Sequence, residues 1–510
     1  MRTRKAHRAF ITVVCLFILT SASLASEIET IKRVTALTLE GMKYAYNFQL
    51  DSADSKFNQA STLEPTHPRP YVARTTILFW RFALGNDDKL YDQLIVQVEQ
   101  ATDLAEKYQD THENDADILT CLGSLYGYKA FAEARQKSYL KAAWDGKKSL
   151  DFFYDAIQLD PKNYDAYLGI GCYHYFGAFA PKSLQWVISM LGIEGNATLG
   201  VKELKLAREK GTFSPVEAQY YLAQFLPWQT GSFEYSDSLL VDLNKRFPEN
   251  PLIAFTLAIW KMRSNNVTLA KDLLHEITQY DRGSVPGLKA IALYKLAECN
   301  FRLNKYEKYI EEYKLFLSMF NDDHYRATAQ FRIGVGYEMT GQREQALKHY
   351  QASRNAEHKH GDDAYASRKA ELFIKAPISS ADSALLCAKN AFKSGNYNNA
   401  IQLYMMLDTL RGVSATLRTE AIYSLGEVYV DQKKYAEALP YLQKTLSSNV
   451  GEETWLTPWA HYQLGMCHTN IGNKTVAKHE FEQVLKIDDD YDFKNWLTFR
   501  TERELERLNK

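Results

Sequence analysis

Net charge is what this sequence most conspicuously lacks. Lys and Arg total 61 against 62 Asp and Glu in 510 residues, a formal charge of −1. With no basic field to hold a phosphate backbone, nucleic acid is excluded as a partner. Cysteine is also scarce. Cys15 lies in an N-terminal apolar run, and Cys121, Cys172, Cys299, Cys387 and Cys467 are odd in number, far apart and set within helical patterns. That arrangement excludes a disulfide framework and reads as small buried apolar side chains. No run beyond the N-terminus reaches the roughly 18 apolar residues of a membrane span, so the mature chain is expected to be soluble.

Signatures of chemistry are missing in the same way. The sequence has no phosphate loop, no G-x-S-x-G elbow, no H-E-x-x-H pair and no C-x-x-C-H haem site. Cys172 and His174 are two apart, so on a helix they point away from one another. His358, His360, Asp362 and Asp363 have the right ligand types for a metal but sit in a polar stretch that reads as a solvated loop. Asp488, Asp489 and Asp490 lack calcium-loop spacing and read as a helix stop. The expectation is a protein that is not an enzyme, with no metal and no cofactor.

Hydrophobic residues, at 46% of the composition, are enough for a folded chain. Arg2, Arg4, Lys5 and Arg8 precede the apolar run 9–19, and Ser21-Ala22-Ser23-Leu24-Ala25 supplies the small residues that a signal peptidase reads. Residues 1–25 therefore read as a signal peptide, predicting a periplasmic or outer-membrane-associated protein. Val14 before Cys15 argues against lipidation there.

The positive signal is repetition. Ile422-Tyr423-Ser424-Leu425-Gly426-Glu427-Val428-Tyr429 is followed by Ala438 and Leu442. Ile333-Gly334 and Tyr337 precede Ala346 and Tyr350, and Leu464-Gly465 and His468 precede Ala477 and Phe481. Ala384, Ala388 and Ala391 precede Ala400 and Tyr404. Looser copies surround Gly41, Leu222-Ala223, Leu257-Ala258 and Leu296-Ala297, the last with a bulky Tyr309 where Ala is usual. The pattern resembles the tetratricopeptide repeat (TPR), in which small residues let two antiparallel helices approach and stacked hairpins bury one another's apolar faces. Turn signals at Lys393-Ser394-Gly395-Asn396, Thr340-Gly341-Gln342 and Ile471-Gly472-Asn473 separate the two helices of a pair, while Pro65, Pro161 and Pro248 mark unit ends. The predicted fold class is therefore all-α, a TPR-type solenoid with irregular repeats.

Spacing between repeats suggests the domain plan. Residues 26–353 read as an N-terminal solenoid, 354–380 as a linker carrying a helix, and 381–510 as C-terminal repeats. The hairpin beginning at Cys121-Leu122-Gly123 has about 14 residues more than a standard unit, and the next is interrupted near 179–196. Here Leu168-Gly169-Ile170-Gly171, Pro181-Lys182-Ser183-Leu184 and Leu191-Gly192-Ile193-Glu194-Gly195-Asn196 resemble the tetratricopeptide repeat protein 39 group over roughly residues 115–280. That group has a Gly-x-Gly helix, an S-x-x-P turn and an L-G-F-x-G-D segment. This chain departs from it with Ala178-Phe179-Ala180-Pro181 at the turn, and with Ile193 and Asn196 for Phe and Asp. The resemblance implies an adaptor-like, non-enzymatic role.

These readings converge on a scaffold of the bacterial envelope that holds a protein or peptide segment in a concave groove. Counting from the small-residue pairs places Tyr294, Glu298, Arg302, Phe331, Lys389, Lys393, Tyr423, Glu427, Tyr462 and Asn470 on the groove-facing helices. The 33 Tyr and 25 Phe favour aromatic-rich peptide recognition. The alternative is a lipid-, glycan- or peptide-ligand-binding protein. It would use the apolar insertion at Leu184, Trp186, Val187 and Met190, which offers peripheral membrane contact but is too short to span a bilayer.

Overall fold

The computed structural model describes residues 26–84, 88–179, 192, 195–230, 233–279, 285, 287–320, 322–357 and 361–508. Among these residues the secondary structure is helical throughout, with no strand. The reason is local. Each first helix carries its small residue where an aromatic or Leu of the second helix passes: a Cβ on Gly334 would lie 2.5 Å from the Tyr350 ring, and one on Gly426 would lie 2.8 Å from Leu442. The expected turns also form. Gly395 has φ +83°, ends the helix Ser380–Lys393, and lets the chain reverse into Tyr397–Thr409.

Packing divides the chain into two compact units, residues 1–257 with 280–289, and residues 258–279 with 290–510. In the first unit, the helix at residues 26–46 pairs with Leu50–Leu63, Arg69–Leu84 with Asp88–Gln109, and Ala116–Arg135 with Tyr139–Leu159. Ala166–Gly177 then packs on Ala197–Lys210, and Pro215–Thr230 on Glu234–Arg246. The helices Ala116–Arg135 and Tyr139–Leu159 have 20 and 21 residues, so the lengthened hairpin read from sequence is real. A pure solenoid joins neighbours only. Here the first hairpin also meets residues about 200 further along: Asn250 Nδ2 donates to Tyr46 O at 2.8 Å, while Asn250 Oδ1 caps the N–H groups of Leu252 and Ile253 at 3.0 Å.

In the second unit, successive hairpins are Arg326–Met339 with Arg343–Arg354, Ser380–Lys393 with Tyr397–Thr409, Ala415–Asp431 with Tyr435–Leu446, and Leu456–Asn470 with Lys474–Lys486. Lys494–Leu508 follows as a final helix. Sequence spacing placed a division at 354–380, but that segment lies inside this unit. Its helix, Gly361–Lys375, packs on Arg326–Met339 and Arg343–Arg354. Asp363 accounts for the difference. It is buried, and its carboxylate accepts from Tyr325 N and Thr328 N at 2.8 Å and from Thr328 Oγ1 at 2.6 Å, capping the helix Arg326–Met339. Reading Asp363 as part of a solvated loop is thus corrected; His358 and His360 lie outside the described residues.

The five cysteines among the described residues are free thiols, and burial pushes those of Cys121, Cys299 and Cys467 up to about 12. No helix among the described residues is long and apolar enough to cross a membrane.

Candidate functional site

Small-residue register puts the first helix of each hairpin in a row, and in the second unit that row carries a connected set of charges. At its centre is Glu420 on Ala415–Asp431, only 2% exposed. Its Oε1 accepts from Lys389 Nζ of the preceding first helix. One turn on, Lys393 Nζ donates to Glu427 Oε1 at 3.2 Å, so the Lys389–Lys393 face of Ser380–Lys393 meets the Glu420–Glu427 face of Ala415–Asp431. Burial opposes the charge on Lys389, but Glu420 and Tyr365 outweigh it and hold the ammonium protonated. Lys369 on Gly361–Lys375 is held protonated against burial by Tyr365, Glu420 and Glu453.

The ladder continues to Glu453, 3% exposed, which receives Lys369 Nζ at 2.9 Å, Arg368 Nη2 at 2.7 Å and Trp455 Nε1 at 2.6 Å. Arg368 also donates to Asp492 at 2.6 Å. Burial alone would raise the Glu453 carboxyl; hydrogen bonds from Arg368 and the charges of Lys369 and Arg368 override it and hold the group at about 2. A second cluster surrounds Glu298 on Leu288–Arg302. Lys295 lies 2.9 Å away, Arg302 2.6 Å, and Arg332 of the next first helix 3.9 Å. Burial opposes ionisation there as well, yet the three cations keep Glu298 well below the usual carboxylate range. Three positive groups share one negative group, a net positive cluster on Leu288–Arg302 and Arg326–Met339.

The residues chosen from sequence separate into two sets. Glu298, Arg302, Lys389, Lys393 and Glu427 belong to these charged clusters, and Asn470 is exposed at the end of Leu456–Asn470. Tyr294, Tyr423 and Tyr462 are corrected. At 2%, 2% and 1% exposure they are core, Tyr294 against Tyr313 and Phe316, Tyr423 against Trp455, and Tyr462 against Phe481. Phe331 packs against Phe373 and Tyr350, so it too serves the interior. The error is one of register: Tyr294, Tyr423, Tyr462 and Phe331 each stand three positions before the small residue, where the side chain turns back between helices. The abundant aromatics thus fill the layers between hairpins. Leu184, Trp186, Val187 and Met190 lie outside the described residues.

Sequence reasoning missed Arg332, Arg368, Lys369, Glu420, Glu453 and Asp492. Glu420 left one signal, a carboxylate directly before the apolar run Ala421-Ile422-Tyr423 of a first helix. The others depend on which helices meet. Among the described residues, no group of three or more His, Cys, Asp or Glu is gathered as for a metal.

The fold and this row of first helices define a helical-repeat protein built from antiparallel hairpins. Residues 291–320, 419–449 and 460–491 match tetratricopeptide repeat family profiles. Among solved structures, a tetratricopeptide repeat protein from Parabacteroides merdae is 13% identical, with 56% of this chain and 98% of that one covered and a TM-score of 0.25. The TPR domain of P58(IPK) is 15% identical, with 75% and 99% covered and a TM-score of 0.21. The C-terminal part of a TPR repeat-containing protein from Cytophaga hutchinsonii is 17% identical, with 46% and 78% covered and a TM-score of 0.19. No curated protein sequence matches.

Proposed function

We propose that this chain is a non-catalytic interaction scaffold of the bacterial cell envelope, exported by residues 1–25, that binds a segment of a protein partner along the first helices of the second unit. The observation that carries this reading is the charge ladder from Lys393–Glu427 through Lys389–Glu420 to Lys369, Glu453 and Arg368. Its members are held in place by one another and remain partly accessible, Lys389 at 30% and Lys393 at 44% of the side chain. A partner that exchanges ion pairs with such a row gains specificity and orientation at modest cost. The TPR matches at 419–449 and 460–491 lie on this same row, and TPR hairpins serve widely as protein-binding surfaces. The likeness of residues 115–280 to the tetratricopeptide repeat protein 39 group supports an adaptor-like role.

The test is site-specific photocrosslinking in the envelope. A crosslinker at Asn470 should give one discrete adduct, which the pair Lys393→Glu and Glu427→Gln abolishes. A crosslinker at Lys444, on the second helix of its hairpin, should give none. Equal adducts from both faces, or none from the first helices, would sink the proposal.

A further inference from the structure

Inside the first unit, a carboxyl group faces a cavity without an ion-pair partner among the described residues. Glu217, on Pro215–Thr230, is 7% exposed. Its Oε1 accepts from Trp80 Nε1 at 3.1 Å and from Tyr46 OH at 3.5 Å, both neutral donors. The groups that act on it or respond to it are acids and weak acids: Asp165, Tyr46, Tyr128, Tyr221 and Cys172. Asp165 is already occupied, accepting from the N–H groups of Thr212, Phe213 and Ser214 at 2.9 Å. Arg81 is the cation on the cavity wall, but its buried Nε has no hydrogen-bond partner and, among the described residues, no ion pair joins it to Glu217.

The cavity measures about 40 Å³ and is lined by Tyr46, Ile77, Trp80, Val216, Tyr220 and Ile253, among others. One water needs about 10–15 Å³ of such space, so there is room for a small solute. The ring faces are fixed by their own packing: Trp80 meets Tyr220 edge-on at 5.1 Å and stacks on Tyr221 at 6.1 Å. A buried carboxylate with only neutral donors is costly, and a cation in contact converts that cost into attraction. Aromatic faces add to it, because their quadrupoles favour a positive charge.

We propose that this cavity is a binding site for a small ammonium ion, with Glu217 as its counter-charge and Trp80, Tyr46 and Tyr220 as its aromatic walls. The site is separate from the first-helix ladder of the second unit and stands whether or not a protein partner binds there. Apolar solutes of the same size lack the charge that Glu217 answers, and anions are repelled by its carboxylate.

The experiment titrates the full chain at pH 8 with methylammonium, using methanol as the neutral control of similar size. The readout is the Trp80 indole N–H resonance, assigned by its loss in Trp80→Phe. Methylammonium should move it saturably and methanol should not. Glu217→Gln should weaken the response at least tenfold while leaving the helical circular dichroism intact. Lowering the pH to 5.5 in the unaltered protein protonates Glu217 and should weaken it to a similar extent, which keeps the test decisive if the variant does not fold. No saturable shift, an equal response to methanol, or a response unchanged at pH 5.5 would each overturn the proposal and leave a water-filled cavity.

Discussion

Individual side chains set how each unit responds to pH, and Glu217 shows it most directly. Burial raises its carboxyl to about 7. A group whose folded value is raised contributes stability that is complete below the unfolded value near 4.5 and is lost as pH rises through 7. Glu217→Gln removes that loss, so at pH 8 the variant should be more stable than the parent by on the order of 3 kcal/mol, with little gain at pH 4. Thermal unfolding of both proteins at the two pH values measures it, and a variant less stable at pH 8 contradicts the assignment. Tyr309 offers a second test at this scale. Its ring is fully buried and its hydroxyl has no hydrogen-bond partner. Tyr309→Phe should therefore leave stability unchanged or raise it by up to about 1 kcal/mol in urea unfolding, since only an unsatisfied polar group is removed.

At the scale of the hairpin, Tyr309 stands where the repeat usually has Ala, and the next first helix makes room for it. A Cβ on Gly336 would fall 2.8 Å from the Tyr309 ring and 2.8 Å from Ile310 Cδ1. Gly336→Ala should cost about 1–3 kcal/mol through overpacking, read as a lower urea midpoint at unchanged slope. Pairing Gly336→Ala with Tyr309→Leu should recover part of that loss. The same interhelical reasoning applies to the ladder. Glu420→Gln leaves Lys389 without its carboxylate partner, and should cost about 2 kcal/mol. The repeat pattern marked both Gly336's neighbourhood and Lys389 from sequence, because period and small-residue spacing are local properties. It could not mark Glu420 as the partner of Lys389, because nothing along the chain states which face of one hairpin meets which face of the next.

For the molecule as a whole, the most strongly shifted buried carboxyls of the two units should respond to pH in opposite directions. In the first unit, Glu133 is raised with Glu217 to about 7, by burial first and then by Asp145, so stability falls between about pH 4.5 and 7. In the second unit, Glu453 is held at about 2 and Glu298 well below its ordinary value. Their contribution is present above the unfolded value near 4.5 and is lost as pH falls toward 2. Pulse proteolysis at pH 3.5, 5 and 8, with fragments assigned by mass, should show the second unit cut first at the lowest pH and the first unit weakened at the highest. A single shared pH trend would contradict it.

By itself the sequence determined the class of structure. Helical period, small residues at hairpin crossings, glycines at the turns and prolines at unit ends all act over a few residues, so the all-α repeat and the long hairpin near 116–159 are legible in the sequence. Only tertiary structure decided where the units divide, that Tyr294, Tyr423 and Tyr462 are core, and that Asp363 caps a helix instead of sitting in solvent. Glu217 belongs with these. It lies 137 residues from Trp80 and 171 from Tyr46, and nothing in its neighbours along the chain shows that two neutral donors and a cavity await it. The physical reason is the same in each case: burial and charge pairing depend on which helices come to lie side by side, and in an irregular repeat that choice is made by packing between hairpins rather than by the period within them.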